Sequence, residues 1–286
     1  MEETKSVFRS AQAKAAFDRA YDDVLALWPV PYEELFVPTR FGRTHVIASG
    51  PRDALSLVLF HPSGCGAVIW HRSVGELSRR FRTYAVDTMG EMNRSVPTRR
   101  IRGRTELMEW IDDLFGGLAI DKADLVGNSF GGYLSLSTAL QFPEKVNRIV
   151  LISPAATFDR MWPWMLHFFP AYLTQSRHLL ARAYEWIWQD LPVEPGIKRL
   201  REMTSLSGLP WHTGPAVFRD DELRRIRAPV LLLIGDHEVI YKREKVFRKA
   251  RRLVPDIKAQ TVPDANHNAE YTAAEAVNRA ILGFLS

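Results

Sequence analysis

The chain has 286 residues, of which 46% are hydrophobic and 25% are charged, a composition typical of a soluble globular protein with one large domain or one domain carrying an insertion. The net charge of +5 is scattered along the chain. Its densest basic groups, RRIRGR and RKARR, lack the interleaved aromatic residues of a nucleic-acid-binding surface. No apolar run reaches about 18 residues, so no membrane span is expected.

Predicted strands and helices alternate along most of the chain. A helical pattern covers residues from about 6 to 27, and the strand-like runs ELFVPT, THVIAS and LSLVLFH follow it. No helix separates the first two runs, which predicts an antiparallel edge. Further strands are predicted at RTYAVD, ADLVGNS, RIVLIS, APVLLLIG and IKAQTVPD, with helices between them. Continuous Val, Ile and Leu runs favour strands buried on both faces, so the sequence predicts an α/β fold with a mostly parallel sheet flanked by helices.

Residues 154–225 interrupt this alternation, because about seventy residues pass without a strand pattern. The segment is rich in aromatic residues, namely Trp162, Trp164, Phe168, Phe169, Tyr172, Tyr184, Trp186 and Trp188. Both of its ends lie at the carboxyl edge of the predicted sheet, where ligands of open α/β sheets bind. We therefore expect a helical cap, or lid, inserted into a core made of residues 1–153 and 226–286. The alternative is a helical excursion whose aromatic residues only pack against the core.

The stretch GNSFGG, residues 127–132, carries the strongest chemical motif. A dinucleotide-binding fingerprint needs a glycine where Ser129 stands, and a P-loop needs a Gly-Lys-Ser/Thr ending, so neither phosphate site fits. The residues satisfy Gly-x-Ser-x-Gly between a buried strand and a helix. This pattern predicts a strained turn that exposes Ser129 as a nucleophile, with small neighbours removing steric clashes.

A serine nucleophile needs a base, and the base needs an acid that orients it. The order serine, acid, histidine is available downstream. PVLLLIGDHEVIY presents Asp236 and Glu238 after its strand, and VPDANHNAEY presents His267 after the next strand. The sequence therefore predicts Ser129 and His267 as catalytic residues and leaves two candidates for the acid.

These residues give the chain a plain resemblance to the α/β-hydrolases over nearly its whole length. In that family the acid commonly lies three residues after the glycine that closes its strand, which implies Glu238 where aspartate is usual and leaves Asp236 as the competitor. The oxyanion hole is expected to use the backbone N–H of Phe130. The second donor implied by the resemblance is Ser63 in the loop HPSGCGAVIW, where a proline replaces the usual glycine.

Several segments, among them YEELFVPTRFGRTHVIASG and YAVDTMGEMNRS, resemble a bacterial carboxylesterase-type branch of the family. The resemblance implies hydrolysis of a small carboxylic ester, and the hydrophobic lid predicts an apolar or aromatic portion of the substrate. One alternative is a hydrolase that cleaves carbon–carbon bonds in ring-cleavage dienoates, which would be favoured by a cap arginine (Arg160, Arg177 or Arg182) facing Ser129. A second alternative is a non-catalytic ligand-binding protein on the same fold.

No cofactor or metal is expected, because His167, His178 and His212 lack the spacing of metal ligands. The charged N-terminus, MEETKSVFRS, has no apolar core of a signal peptide, and the single cysteine, Cys65, excludes an intramolecular disulfide. These features lead us to expect a cytoplasmic protein that acts on a small molecule and binds no nucleic acid.

Overall fold

The structure, a computed structural model, describes residues 7–8, 10–174, 176–189, 195–207 and 212–286. Its strands are β1 (Tyr32–Thr39), β2 (Gly42–Ser49), β3 (Ser56–Phe60), β4 (Arg82–Val86), β5 (Val96–Pro97), β6 (Ala123–Asn128), β7 (Val146–Ile152), β8 (Val230–Gly235) and β9 (Ile257–Val262). Its α-helices are α1 (Ala11–Leu25), α2 (His71–Leu77), α3 (Gly103–Gly117), α4 (Phe130–Gln141), α5 (Trp162–Thr174), α6 (Arg177–Trp188), α7 (Pro195–Ser207), α8 (Asp220–Arg224), α9 (Arg243–Leu253), α10 (Ala269–Thr272) and α11 (Ala274–Phe284).

The chain divides into two compact units. Unit 1 contains Met1–Ala123 and Val193–Gly214, and unit 2 contains Asp124–Pro192 and Pro215–Ser286. The segment predicted as a lid, residues 154–225, is shared between them. The helices among its described residues are α5, α6 and α8 in unit 2 and α7 in unit 1. Its action as a lid stays a prediction.

Unit 1 begins with an amphipathic helix. The helix that the sequence predicts from about residue 6 starts at Ala11, because the Ser10 hydroxyl oxygen accepts the N–H of Ala13 as an N-cap. Its apolar residues recur every three or four positions, and that face, including Phe17, Tyr21 and Val24, is fully buried. The helix therefore contributes this apolar face to the core of the unit.

The strands of unit 1 lie in the order β1-β2-β4-β3, and β5 pairs with β2. β1 and β2 form the predicted antiparallel edge, with Tyr32 opposite Ser49 and Thr39 opposite Gly42. β3 runs parallel to β4, and four of the five residues of β3 are buried. The apolar run LSLVLFH thus becomes a largely buried strand, and the loop that carries Ser63 begins at the carboxyl end of β3.

In unit 2 the strands lie in the order β6-β7-β8-β9, with β7, β8 and β9 parallel. All six residues of β6 and of β8 are buried, as their uninterrupted apolar runs predict. The basic run RKARR lies in α9, whose apolar residues are buried on one face while Arg251 and Arg252 are exposed. It is therefore the solvated face of a helix.

The helices α5 and α6 pack together through aromatic residues. Trp164 stacks on Phe168 at a centroid distance of 4.9 Å, and the ring of Tyr184 meets Phe168 edge-on at 5.3 Å. The opposite face of α5 exposes Leu166 and Phe169. In the described part of the chain, none of the helices has the length and apolar character needed to cross a bilayer.

Candidate active site

Ser129 occupies the tight turn between β6 and α4. Its backbone has φ 51° and ψ −114°, a conformation that residues other than glycine rarely adopt. Two contacts hold it. The Ser129 N–H donates to the carbonyl oxygen of Ile152 at 3.0 Å, and the Ser129 carbonyl oxygen accepts the N–H of Ala155 at 2.9 Å. The turn thus presents a half-buried serine side chain at the carboxyl end of β6.

The glycines around Ser129 are required by the closeness of this turn. A Cβ atom on Gly127 would lie 2.1 Å from the carbonyl oxygen of Gly131, and one on Gly132 would lie 2.8 Å from Cβ of Pro154. The backbone of Gly131 and the rigid ring of Pro154 cannot move aside as the end of a flexible side chain can. Side chains at these two positions are therefore incompatible with the observed path of the chain.

We expect Gly127→Ala to lower the free energy of unfolding by about 2 kcal/mol or more, because the new methyl group must displace backbone. Gly116→Ala is the matched control, since nothing lies within 4 Å of a Cβ at this position in α3. It should raise the free energy of unfolding by up to about 1 kcal/mol through helix propensity. Urea denaturation measures the unfolding free energy of both variants. Equal changes in Gly127→Ala and Gly116→Ala would contradict the steric argument.

His267 and Glu238 complete a hydrogen-bonded chain with Ser129. Ser129 Oγ lies 2.9 Å from His267 Nε2, and His267 Nδ1 lies 2.8 Å from Glu238 Oε2. With the ring proton on Nδ1, the serine hydroxyl donates to Nε2 while Nδ1–H donates to the carboxylate. All three residues belong to unit 2. Glu238 follows β8 and His267 follows β9, so neighbouring parallel strands deliver them to the same edge.

The Glu238 carboxylate is held in its charged form despite its burial. Burial acts to raise the pKa, but the charge that the His267 ring carries when protonated, the hydrogen bond with this ring and the N–H of Ile240 together hold the pKa of Glu238 below its ordinary value. The Ile240 N–H donates to Glu238 Oε1 at 2.8 Å. Both carboxylate oxygens are thus engaged, which fixes the side chain with one oxygen toward the histidine.

Asp236, the competing candidate for the acid, has a different position. Its two carboxylate oxygens accept the N–H groups of Ala265 and Asp264, each at 3.1 Å, in the loop that leads to His267. Burial acts to raise the pKa of Asp236, but these backbone N–H groups hold it below its ordinary value. In this structure Asp236 therefore holds the histidine loop, and Glu238 contacts the histidine ring.

The two predicted oxyanion donors lie in different units. Phe130 begins α4 in unit 2, and N–H groups in the first turn of a helix point out of its N-terminus. Ser63 lies in unit 1, on an exposed turn after β3. Ser63 and Phe130 remain predictions as oxyanion donors.

A buried glutamate that sequence analysis did not single out organises the loop around Ser63. Glu91 Oε2 accepts the N–H of Gly64 at 3.1 Å, and Glu91 Oε1 lies 3.0 Å from His212 Nε2. Burial acts to raise the Glu91 pKa, but the hydrogen bond and charge of His212 and a hydrogen bond from the Ser63 hydroxyl lower it to about 2. Glu91 and His212 are 121 positions apart, so no local pattern pairs them.

His61 lies at the start of the same loop, and both of its ring nitrogens have partners in unit 1. Nδ1 lies 2.8 Å from the Pro62 carbonyl oxygen, and Nε2 accepts the N–H of Thr88 at 3.1 Å. These bonds assign the ring proton to Nδ1. His61 thus links the start of this loop to the backbone of Thr88.

The two described arginines that could favour carbon–carbon bond cleavage are both exposed. Arg160 is exposed and lies over the ring of Trp162, and Arg182 is also exposed. The side chain of Arg177 lies outside the described residues. Neither described arginine is thus buried in a pocket where it could bind an acidic substrate.

One group of possible metal ligands occurs in the described part of the chain. Ligand atoms of Asp236, His237 and Asp264 lie within 4.8 Å of one another, and all three residues are exposed. Exposed acidic groups commonly lie this close without binding a metal. Because the Asp236 carboxylate already accepts two backbone N–H groups, the arrangement is that of a loop contact.

The chain is similar to known proteins in both sequence and structure. A model of the alpha/beta hydrolase family matches residues 57–280. Carboxylesterase YbfK of Bacillus subtilis is 38% identical over 97% of this chain and 96% of its own length. The crystal structure of carboxylesterase CesB (YbfK) from Bacillus subtilis matches with a TM-score of 0.90 at 37% identity, over 96% of this chain and 99% of that one.

A second solved structure, naproxen esterase (carboxylesterase NP) from Bacillus subtilis, also matches with a TM-score of 0.90. It is 31% identical, and the match covers 97% of this chain and all of that one. The α/β fold and the resemblance to bacterial carboxylesterases predicted from sequence are confirmed by these matches. The chain therefore belongs to the alpha/beta hydrolase family and is a hydrolase.

Proposed function

We propose that this hydrolase cleaves carboxylic esters through an acyl-enzyme formed on Ser129. The observation that carries the proposal is the unbroken hydrogen-bonded chain from Ser129 through His267 to Glu238. A serine hydroxyl is a weak nucleophile until a base removes its proton, and the base must be held in the correct tautomer. The similarity to proteins named carboxylesterases supports an ester as the bond that is cleaved.

In the proposed acylation step, Ser129 Oγ attacks the ester carbonyl carbon while its proton passes to His267 Nε2. Glu238 accepts the hydrogen bond from His267 Nδ1–H and stabilises the imidazolium that forms. The carbonyl oxygen gains a negative charge, for which the backbone N–H groups of Phe130 and Ser63 are the proposed donors. When the tetrahedral intermediate collapses, the bond from carbon to the alcohol oxygen breaks and His267 returns the proton to that oxygen.

Deacylation repeats the chemistry with water. His267 Nε2 accepts a proton from water as the water oxygen attacks the acyl carbon, and the proton then passes to Ser129 Oγ as the acyl bond breaks. The products are a carboxylic acid and the free serine. The low pKa of Glu238 favours this cycle, since its carboxylate stays charged while the histidine changes its protonation state.

The proposed substrate has an apolar or aromatic portion. The helices α5 and α6 carry most of the aromatic residues of segment 154–225, and we propose that this segment acts as a lid over the bound ester. The name of the relative naproxen esterase supports an aromatic acyl group as one candidate. Arg160 and Arg182, both exposed, offer no support for a site that selects acidic dienoates.

We expect an alkyl p-nitrophenyl phosphonate to add one adduct per chain at Ser129 and to abolish turnover, because the phosphonate mimics the tetrahedral intermediate. Intact-mass and peptide mass spectrometry measure the adduct. Ser63→Ala is the matched control and should still be labelled, since the proposed role of Ser63 uses its backbone. No adduct on the wild-type protein, or labelling that persists in Ser129→Ala, would rule out Ser129 as the nucleophile.

A substrate panel separates the remaining functions. It contains p-nitrophenyl esters of increasing acyl length, a naproxen ester and a ring-cleavage dienoate, and saturable turnover of the esters is the expected result. Turnover of the dienoate alone would support carbon–carbon bond cleavage. Absence of turnover on every member, together with saturable binding, would indicate a ligand-binding protein.

A further inference from the structure

Two buried polar side chains belong to the segments that carry Ser129 and His267. Asn128 is the last residue of β6 and precedes Ser129, and Glu270 lies in α10, three residues after His267. Both are 0% exposed. The Asn128 Nδ2 group donates to Glu270 Oε2 across 142 positions of the sequence. The contact therefore joins the segment that carries Ser129 to the segment that carries His267.

The hydrogen bonds of this pair are incomplete if Glu270 is ionised. Counted among the described residues, Asn128 Oδ1 and Glu270 Oε1 are buried atoms without a hydrogen-bond partner. Buried polar atoms are almost always hydrogen-bonded. Both of these atoms are acceptors when Glu270 is a carboxylate, so neither can satisfy the other. One proton on Glu270 supplies a donor.

The surroundings of Glu270 favour the protonated form. Burial is the largest influence and, against hydrogen bonds from the backbone N–H of Glu270 and from Asn128, it raises the pKa of Glu270 to about 8. No described lysine or arginine forms an ion pair with Glu270.

The ionisable residues nearest to the pair along the chain have other partners. His267 contacts Ser129 and Glu238. The ring of Tyr271 meets Trp188. Asp124, on β6, is paired with Arg148, and α4 contains no charged residue.

We propose that Glu270 is a positioning residue that works as a neutral carboxylic acid, its O–H donating to Asn128 Oδ1 while Asn128 Nδ2 donates to the other carboxyl oxygen. The pair holds the residue before the nucleophile against the loop of the histidine. It thereby maintains the 2.9 Å between Ser129 Oγ and His267 Nε2. This inference rests on the proposed function, because the distance between Ser129 Oγ and His267 Nε2 matters only if His267 takes the proton of Ser129.

A distinctive pH dependence follows. A serine–histidine mechanism needs a neutral imidazole, so its rate rises with pH and then reaches a plateau. Ionisation of Glu270 removes the carboxyl donor and leaves a buried negative charge in the pair. We therefore expect kcat of the wild-type enzyme to fall as the pH rises through about 8, the pKa of Glu270.

The test compares two substitutions of Glu270 by the pH profile of p-nitrophenyl butyrate turnover. Glu270→Gln keeps the size of the side chain and carries a donor at every pH, so it should retain kcat near pH 7 and lose the alkaline decline. Glu270→Ala removes the contact and should lower kcat by about 10- to 100-fold at all pH values, with a smaller change in KM. Glu275→Gln is the matched control, because Glu275 is an exposed glutamate of α11, and it should retain the decline. An alkaline decline that persists in Glu270→Gln would overturn the proposal.

Two measurements that need no turnover separate this proposal from the proposed function. Infrared spectroscopy in D₂O at neutral pD should show the carbonyl band of a protonated carboxyl group in the wild type and in Glu275→Gln, and no such band in Glu270→Gln. A wild type without this band would overturn the role of Glu270 even if Ser129 is the nucleophile. A band present without ester turnover would overturn the proposed function and leave the protonated Glu270 established.

Urea unfolding of the wild type and of Glu270→Gln provides the second measurement. It tests the proposal even if the Glu270→Ala variant fails to fold. The folded pKa lies above the ordinary value of 4.5, so the folded protein retains a proton that the unfolded chain releases. The stabilisation is complete below about pH 4.5 and is lost as the pH rises to about 8. The urea midpoint of the wild type should therefore fall across this window relative to Glu270→Gln. Parallel midpoints of the two proteins would overturn the proposal.

Discussion

Ser129→Ala is expected to lower kcat for p-nitrophenyl butyrate by about 10⁶-fold, because the acyl-enzyme cannot form without the hydroxyl oxygen. His267→Ala should cause a loss of similar size, since Ser129 Oγ then has no base at 2.9 Å to accept its proton. The double variant should be about as slow as either single variant. Residues that act as one unit show this lack of additivity.

Steady-state kinetics on the purified variants measures these losses, with circular dichroism to verify that each variant is folded. Ser137→Ala is a matched control from α4, the helix that Ser129 precedes. Ser137 is buried, its hydroxyl has no hydrogen-bond partner among the described residues, and its removal should leave kcat unchanged. A double variant slower than both single variants by a further large factor would show that Ser129 and His267 act independently, contrary to the proposed mechanism.

Glu238→Gln is expected to lower kcat by about 10⁴-fold with little change in KM. The amide has the size of the carboxylate, but its NH₂ group can donate to Nδ1 and so place the ring proton on Nε2, where it blocks proton transfer from Ser129. The substitution also removes the negative charge that stabilises the imidazolium. The expected loss is thus one of transition-state stabilisation, and the kcat measurement reports it directly.

Asp236→Asn is the matched control for the choice of acid. Asp236 accepts the N–H groups of Ala265 and Asp264, so its amide variant should lose about 1 to 2 kcal/mol of unfolding free energy while kcat changes far less than in Glu238→Gln. Urea denaturation and kinetics together separate the two roles. A larger kinetic loss in Asp236→Asn than in Glu238→Gln would transfer the role of the acid to Asp236.

Much of the fold could be predicted from sequence because its signals are local. The uninterrupted apolar runs of β6 and β8 predict strands buried on both faces, and all of their residues are buried. GNSFGG predicts a tight turn, and the steric clash of a Cβ at Gly127 explains why that glycine is needed. The start of α1 could not be predicted as well, since residue 6 and Ala11 share one helical pattern and the Ser10 cap decides between them.

The site depended on contacts that no local pattern contains. Asp236 and Glu238 follow the same strand, and only the path of the chain after β8 turns Glu238 toward His267. No local sequence pattern distinguishes Glu91 and Glu270 from the other glutamates of the chain. Burial raises the pKa of Glu270 to about 8 despite its hydrogen bond from Asn128, 142 positions away. Burial also acts to raise the pKa of Glu91, but His212, 121 positions away, is the main partner that lowers it to about 2.

The sequence by itself determined the alternation of strands and helices, the nucleophile motif at Ser129 and the order of the residues that follow it. These properties follow from side-chain polarity, size and spacing along one segment at a time. The tertiary structure alone decided which carboxylate faces His267 and which buried glutamate has no ion-pair partner among the residues that the structure describes. The physical reason is that hydrogen-bond partners and desolvation depend on the packing of distant segments, and that packing sets the pKa of each group.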